Sequence, residues 1–335
     1  MPSDRFVQIA LPQTGQAPLD RARARVLILG ALSLVALGLF LTLGVPGGAW
    51  GFALPFRAGK LVALVLVAYA IATSTQLFHA ATRNQILTPA IMGFDALYLM
   101  LQAGSVFFIG AMATQDLDPI LKFSLEVIVM MVFSTGLFLW LFSAQARDLH
   151  LLVLVGIIFG TLFRSLSSFI SRMIDPNDFV VVQGATFAQF NTVNIELLWI
   201  SLALCAFTLP ALWALRHQFD VLALGRDMAI NLGLPYRRVM LITFATVGLL
   251  VSVSTALVGP VTFFGLLVTH LAYRLLPGAR FGPTWIASIL VAVITLVGGQ
   301  AVFEHVLGFK GTLSVVIDLL GGLVFLSLLL KGAQR

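Results

Sequence analysis

Apolar runs long enough to cross a bilayer recur along the whole chain, and that recurrence leaves few folds open. They lie at Val26–Leu43, Leu61–Phe78, Ile91–Ile109, Leu121–Phe142, Leu151–Ile170, Ile195–Leu215, Val239–Val258, Val261–Leu276, Trp285–Phe303 and Leu313–Leu330. A hydrocarbon core of ~30 Å needs about 20 apolar residues in a helix. Inside it, only a helix or a closed barrel satisfies every backbone N–H and C=O. The expected fold class is an all-α polytopic membrane protein of about ten transmembrane helices. The run Val261–Leu276 is short, and only Gly259-Pro260 separates it from its neighbour, so a tilted or partly re-entrant helix is expected there. Of the 335 residues 59% are hydrophobic and 10% charged, against roughly 25% charged in a soluble domain. A soluble fold is excluded, and residues 25–332 read as one transmembrane domain behind a polar tail at 1–24. No small-residue cleavage site follows the first run, so it is expected to stay as a helix rather than leave as a signal peptide.

The net charge of +6 suits nucleic acid poorly, because the basic residues are scattered between apolar runs and form no stripe. In a membrane protein they set topology instead. Placing the N-terminus in the cytoplasm puts Arg5, Arg21, Arg23, Arg25, Arg83, Arg147, Arg216, Arg226, Arg237, Arg238, Arg274, Arg280, Lys331 and Arg335 inside. The outer loops then carry Asp116, Asp118, Asp175, Asp178 and Glu304. This bias predicts both termini in the cytoplasm. Cys205 is the only cysteine, which excludes disulfides and cysteine metal clusters. The chain has no G-x-x-x-x-G-K-[ST] run and so no ATP site of that kind. Thr73-Ser74-Thr75-Gln76-Leu77 and Val253-Ser254-Thr255-Ala256-Leu257 hint at an inverted repeat, or equally at small polar residues that ease helix packing.

The longest inner connection after the tail is 216–238, RHQFDVLALGRDMAINLGLPYRR. Gly225, Gly233 and Pro235 punctuate it, and the piece between the glycines can form a short amphipathic helix. Leu222, Leu224, Met228, Ile230 and Leu232 are too many apolar side chains for a loop that only reverses the chain. A helix lying on the membrane and a docking element for a cytoplasmic partner fit equally well.

At this point a resemblance becomes specific. Asp220–Leu234, DVLALGRDMAINLGL, resembles the LALGE-x-x-A-x-x-LG coupling segment of FecCD-type permeases, the membrane subunits of binding-protein-dependent ABC importers for iron–siderophore chelates and cobalamin. Gly259–Arg274, GPVTFFGLLVTHLAYR, is similar to that family's G-x-x-x-F-x-G-L-x-x-P-H-x-x-R segment. Arg83–Pro89 with Met92-Gly93 resembles its NPLA-x-P…LG loop, Arg57–Lys60 its R-x-P-R, and the segment from Gly321 its G-x-P-x-F-x-x-L-L. Ile91–Tyr98 looks most like the subgroup for ferric catecholate-type siderophores. The chain departs from the pattern where Arg226 replaces Glu, Thr269 replaces Pro before His270, and Gln85 replaces Pro after Asn84.

The resemblance implies a type II ABC importer permease fold in the bacterial inner membrane, paired with a second permease subunit, identical or a sister. It implies two cytoplasmic ABC ATPase subunits that hold the ATP, an external substrate-binding protein, and a ferric siderophore as cargo. The permease itself would bind no cofactor or metal and catalyse nothing. Leu224, Gly225, Arg226, Asp227, Ala229, Leu232 and Gly233 would couple to the ATPase. Arg57 and Lys60, placed by the runs in an outer loop, would dock the binding protein, with Lys310 nearest to a third docking cation. Asn84 and Ile86, with Gln145 in the Ser143–Arg147 loop, would form the inner gate.

Asp95 and Glu196 each sit at the start of a span, where a helix N-terminus favours negative charge. His270 and His305 are lone histidines, and Met92, Met100, Met130 and Met131 read as core filling. Asp95, Glu126 and the unassigned Asp318 carry the alternative function, a proton- or ion-coupled secondary transporter. Arg164 lies about six residues, or ~9 Å, from the outer end of its span, and Ser168, Ser171 and Arg172 share its face. Either Arg164 pairs with Glu126, or this stripe faces the pathway and attracts an anionic chelate.

Overall fold

A computed structural model describes residues 19–44, 50–143, 149–191, 193–306, 308 and 313–332. Among them the fold is all-helical, as expected. The helices are α1 (Leu19–Thr42), α2 (Trp50–Thr82), α3 (Phe94–Ile109), α4 (Ala111–Asp116), α5 (Pro119–Ser143), α6 (Leu149–Ser171) and α7 (Pro176–Gly184). There follow α8 (Ile195–Leu222), α9 (Arg226–Asn231), α10 (Tyr236–Val258), α11 (Phe264–Leu275), α12 (Phe281–His305) and α13 (Leu313–Gly332), and a 3-10 turn at Pro89–Met92 precedes α3. Seven helices, α1, α2, α5, α6, α8, α10 and α12, are long and apolar enough to cross a membrane. The remaining three apolar runs form α3, α11 and α13. At 12 residues α11 is about 18 Å long, too short to cross alone, which agrees with a tilted or re-entrant piece.

The second helix begins well before its apolar run. It starts at Trp50 rather than near Leu61 and carries Pro55 inside it. Arg57 and Lys60 therefore sit on helical turns and not in a loop. Hydropathy ends a span where charges begin, but these two charges find partners on neighbouring helices and the helix continues through them.

Most of the buried core is gathered around α2. Of its most apolar 18-residue stretch, 78% is buried, against 17% for α1 and α6. It packs against α10, α12, α8 and α11, while α10 also meets α5 and α12 meets α1. Phe78 and Phe244 meet edge to face across α2 and α10. Several polar groups buried in this core are paired: Trp285 Nε1 donates to Thr73 Oγ1 at 2.9 Å, and the Tyr69 and Thr208 hydroxyls lie 2.7 Å apart. Such pairing matters because an unmade hydrogen bond in an apolar interior is costly. The two repeat-like segments meet here, with Ser74, Thr75, Ser254 and Thr255 lining one cavity of about 30 Å³.

A second packing unit pairs α3 with α6. A Cβ on Gly93 would stand 2.6 Å from the Gly160 Cα, so the two backbones touch where side chains would hold them apart. Lipid tails are as apolar as leucine, and close backbone approach through small residues is how membrane helices gain contact.

Candidate functional site

At one end of the bundle the chain leaves α8, forms α9 and enters α10. Asp220 Oδ1 accepts the Phe281 amide at 2.6 Å and ties the end of α8 to the start of α12. The two glycines then bound α9. Gly225 has φ +103° and ψ 167°, a conformation that side chains resist. Gly233, at φ +81°, closes α9: its amide donates to Ile230 O at 2.9 Å, and the Leu234 amide donates to Ala229 O at 2.9 Å. That pair is a Schellman cap, and it makes a six-residue helix a rigid knob.

The structure sorts the expected coupling residues into two sets. Ala229 is fully buried and seats α9 on its own chain. Leu224, Met228, Ile230 and Leu232 are exposed, Asp227 is exposed beside them, and Arg226 is half-buried. Clustered apolar side chains rimmed by polar ones mark an interaction surface. The family motif leaves out Met228 and Ile230, which the count of apolar side chains had singled out, because it records residue types and not the side each one faces.

The connection from α2 to α3 lies against this knob. The Ile86 amide donates to Asn84 Oδ1 at 2.9 Å, an Asx turn. Arg83, just before it, has φ +55°, and its Nη1 stands 2.7 Å from where a Cβ on Gly225 would be. Beside them a cavity of about 330 Å³ is lined by Gln76, His79, Arg83, Asp220, Tyr273 and Phe281 among others. Gln76 accepts from Tyr273 Oη on the cavity wall at 2.9 Å and donates to Ser288 Oγ of α12 at 2.6 Å. Gln145 lies outside the described residues.

At the opposite end of α2, Lys60 is buried in an ion pair with Glu304 of α12. Gln300 Nε2 donates to Glu304 Oε1 at 2.8 Å and also reaches Asn191 Oδ1 at 3.2 Å. Half-buried Arg57 donates to the Phe40 carbonyl at 3.1 Å and to that of Leu43. His305 Nε2 stands 3.1 Å from the same Leu43 oxygen. Both side chains thereby satisfy the open C-terminus of α1. Lys310 lies outside the described residues. The structure thus gives Lys60 an internal partner where the sequence suggested an exposed docking cation. Removing one member of a buried pair costs about 3–5 kcal/mol, because the other charge stays buried. Lys60→Met should accordingly lower the thermal midpoint of the purified protein, and adding Glu304→Leu should restore most of it. An unchanged midpoint in the single variant would remove the pair from the stability account.

The remaining ionisable residues take distinct places. Asp318 of α13 accepts the Phe263 amide at 3.2 Å and caps α11. Asp95 stands in the first turn of α3, as expected, and accepts from Thr262 Oγ1 at 3.0 Å. Asn194 Oδ1 accepts the Glu196 amide at 2.8 Å at the start of α8. Thr269, in place of the pattern's proline, bonds back to Gly265 O at 2.8 Å within an unbroken α11. Arg274 Nε donates to His270 Nε2 at 3.2 Å. Among the described residues no group of three or more His, Cys, Asp or Glu could hold a metal ion.

Arg164 and Glu126 do not pair. Buried Glu126 accepts from Gln102 Nε2 at 2.8 Å, and among the described residues no ion pair joins it to Arg164. On α6, Ser167 is buried and turns to the Leu99 carbonyl of α3 at 3.3 Å. Arg164, Ser168 and Arg172 are exposed on the flank beside it. Gln102, one turn on from Leu99 in α3, reaches Glu126 first, which spacing along α5 and α6 could not reveal.

Comparison with known proteins places this geometry. Residues 26–331 match the family described as the FecCD transport family. The petrobactin import system permease protein YclO of Bacillus subtilis is 43% identical over 93% of this chain and 98% of its own length. The petrobactin import system permease protein FatC of Bacillus anthracis is 34% identical over 82% of this chain and 78% of its own. A solved structure described as an inward-facing metal-chelate type ABC transporter superposes with a TM-score of 0.80 at 19% identity. It covers 92% of this chain and 99% of that one, and at that identity the likeness concerns the fold.

Proposed function

Because this chain belongs to the FecCD transport family, we propose that it is the permease subunit of an ATP-driven importer for a ferric siderophore in the bacterial inner membrane. Petrobactin, after which the YclO and FatC import systems are named, is the first cargo to test. The observation that carries the reading is the capped α9 knob with its exposed apolar side chains. A carrier driven by ions has no use for such a face, whereas a subunit without an ATP site needs one through which a partner can push. Two cytoplasmic ATPases bind there and hold the ATP. The reading takes ten spans with both termini in the cytoplasm, and a second permease subunit completes the pathway. An external binding protein docks at the end where Arg57 stands.

The alternative of proton or ion coupling loses its residues. Asp95, Glu126 and Asp318 each hold a hydrogen bond between helices or at a helix start, which gives each a structural reason to be there. The test is uptake of radio-iron petrobactin by proteoliposomes that hold this chain, its sister permease and the ATPase, with the binding protein outside. Uptake that needs ATP and the binding protein is expected. Uptake driven by a proton gradient with the ATPase omitted would overturn the reading.

A further inference from the structure

We propose that Arg83 is a positioning residue that carries displacement of α9 into the α2–α3 connection. Arg83 is the only non-glycine with positive φ among the described residues. A bulky side chain in that conformation is strained and persists only where the surroundings hold it. Two contacts hold it here. The chain folds at once into the Asn84–Ile86 turn, and the guanidinium lies on Gly225. A Cβ at Gly225 would meet Arg83 Nη1 at 2.7 Å, Cζ at 3.1 Å and Nε at 3.5 Å. Three atoms of one plane within that range describe a guanidinium laid flat over the glycine.

Arg83 is exposed while Gly225 is buried. The guanidinium therefore covers the glycine from the solvent side. Gly225 consequently serves two purposes. It makes the turn into α9 at φ +103°, and it leaves open the space that the guanidinium occupies. Because α9 is closed by its Schellman cap, a push on its exposed face moves the knob as one piece. Arg83 is the contact through which that motion reaches Asn84 and Ile86. The cavity of about 330 Å³ that Arg83 and Gln85 help to line gives the connection room to shift.

This inference rests on the reading that ATP-driven motion enters at α9, and the test separates the two. Arg83→Ala and Arg83→Lys are assembled with the ATPase and the binding protein in proteoliposomes. Three quantities are read: ATPase co-purification, iron taken up per ATP hydrolysed, and the ATP-dependent signal of a fluorophore on the Asn84–Ile86 turn. With Arg83→Ala the ATPase should stay bound while uptake per ATP falls about tenfold, within the usual range of coupling between two sites. The fluorophore response to ATP should disappear. Lysine keeps the charge but not the flat face, so Arg83→Lys should recover little. Gly225→Ala, which fills the seat, should reproduce the loss. Unchanged uptake per ATP or an unchanged fluorophore response in Arg83→Ala would overturn the inference, as would failure of that variant to assemble, which would make Arg83 structural. If the wild-type chain itself binds no ATPase, the proposed function fails instead.

Discussion

Met228→Asp combined with Leu232→Asp should strip the ATPase from the complex and abolish uptake while leaving the permease folded. Both side chains are exposed in this chain, so neither replacement disturbs its own packing. A partner that covers them gains about 1.5–3 kcal/mol for each apolar side chain buried. Since 1.4 kcal/mol is tenfold in affinity, losing both weakens the contact at least ~100-fold. Placing carboxylates there adds a desolvation cost. The measurement is ATPase retained on the affinity-purified permease, beside its elution profile in detergent. Wild-type retention with a normal profile would mean that α9 is not the contact. Ala229→Trp makes the contrast. Ala229 is fully buried, so a large residue there should lift α9 from its seat and disturb the permease itself. A contact assigned from the motif alone would have put both sites on the same surface.

Arg164→Ala should leave folding and assembly intact and lower uptake of an anionic ferric chelate by about tenfold or more, the scale on which a charged cleft raises local ligand concentration. The structural alternative required a pair with Glu126, and that carboxylate is held by Gln102. What remains is a cationic and hydroxyl-bearing flank of α6 that its own chain leaves open. Facing lipid, an arginine at the centre of a span costs about 2.5–3.5 kcal/mol, and Arg164, nearer the outer end of α6, bears part of that. Facing a shared pathway beside the second permease subunit, it stays hydrated and meets the cargo. Arg164→Lys should retain most uptake, and Arg164→Glu should fall below Arg164→Ala. If the alanine variant fails to assemble, or if alanine and glutamate transport equally well, the flank does not select charge.

Much of this molecule is legible in the sequence because the bilayer is a demanding solvent. It admits helices of set length, so the apolar runs forecast α1, α5, α6, α8, α10 and α12 closely. Gly225 and Gly233 forecast α9 for a local reason: few residues other than glycine take positive φ readily, and a helix that must end at once needs such a residue. Hydropathy erred where charge lies within a helix. It cut α2 at Leu61 because it counts Arg57 and Lys60 as water-seeking, whereas Glu304 and the end of α1 receive them.

The sequence by itself determined the solvent, the helical class, the short α11 and the presence of a knob between α8 and α10. All of these follow from local composition or backbone freedom. Only the tertiary structure decided that Asp318 caps α11, that Lys60 and Glu304 close a pair 244 residues apart, that Ala229 turns inward, and that Arg83 lies on Gly225. A helix in lipid can be apolar on every side, so its pattern does not say which side meets a neighbour. The partner of a buried charge is chosen by which helix packs alongside, and that choice belongs to the whole chain.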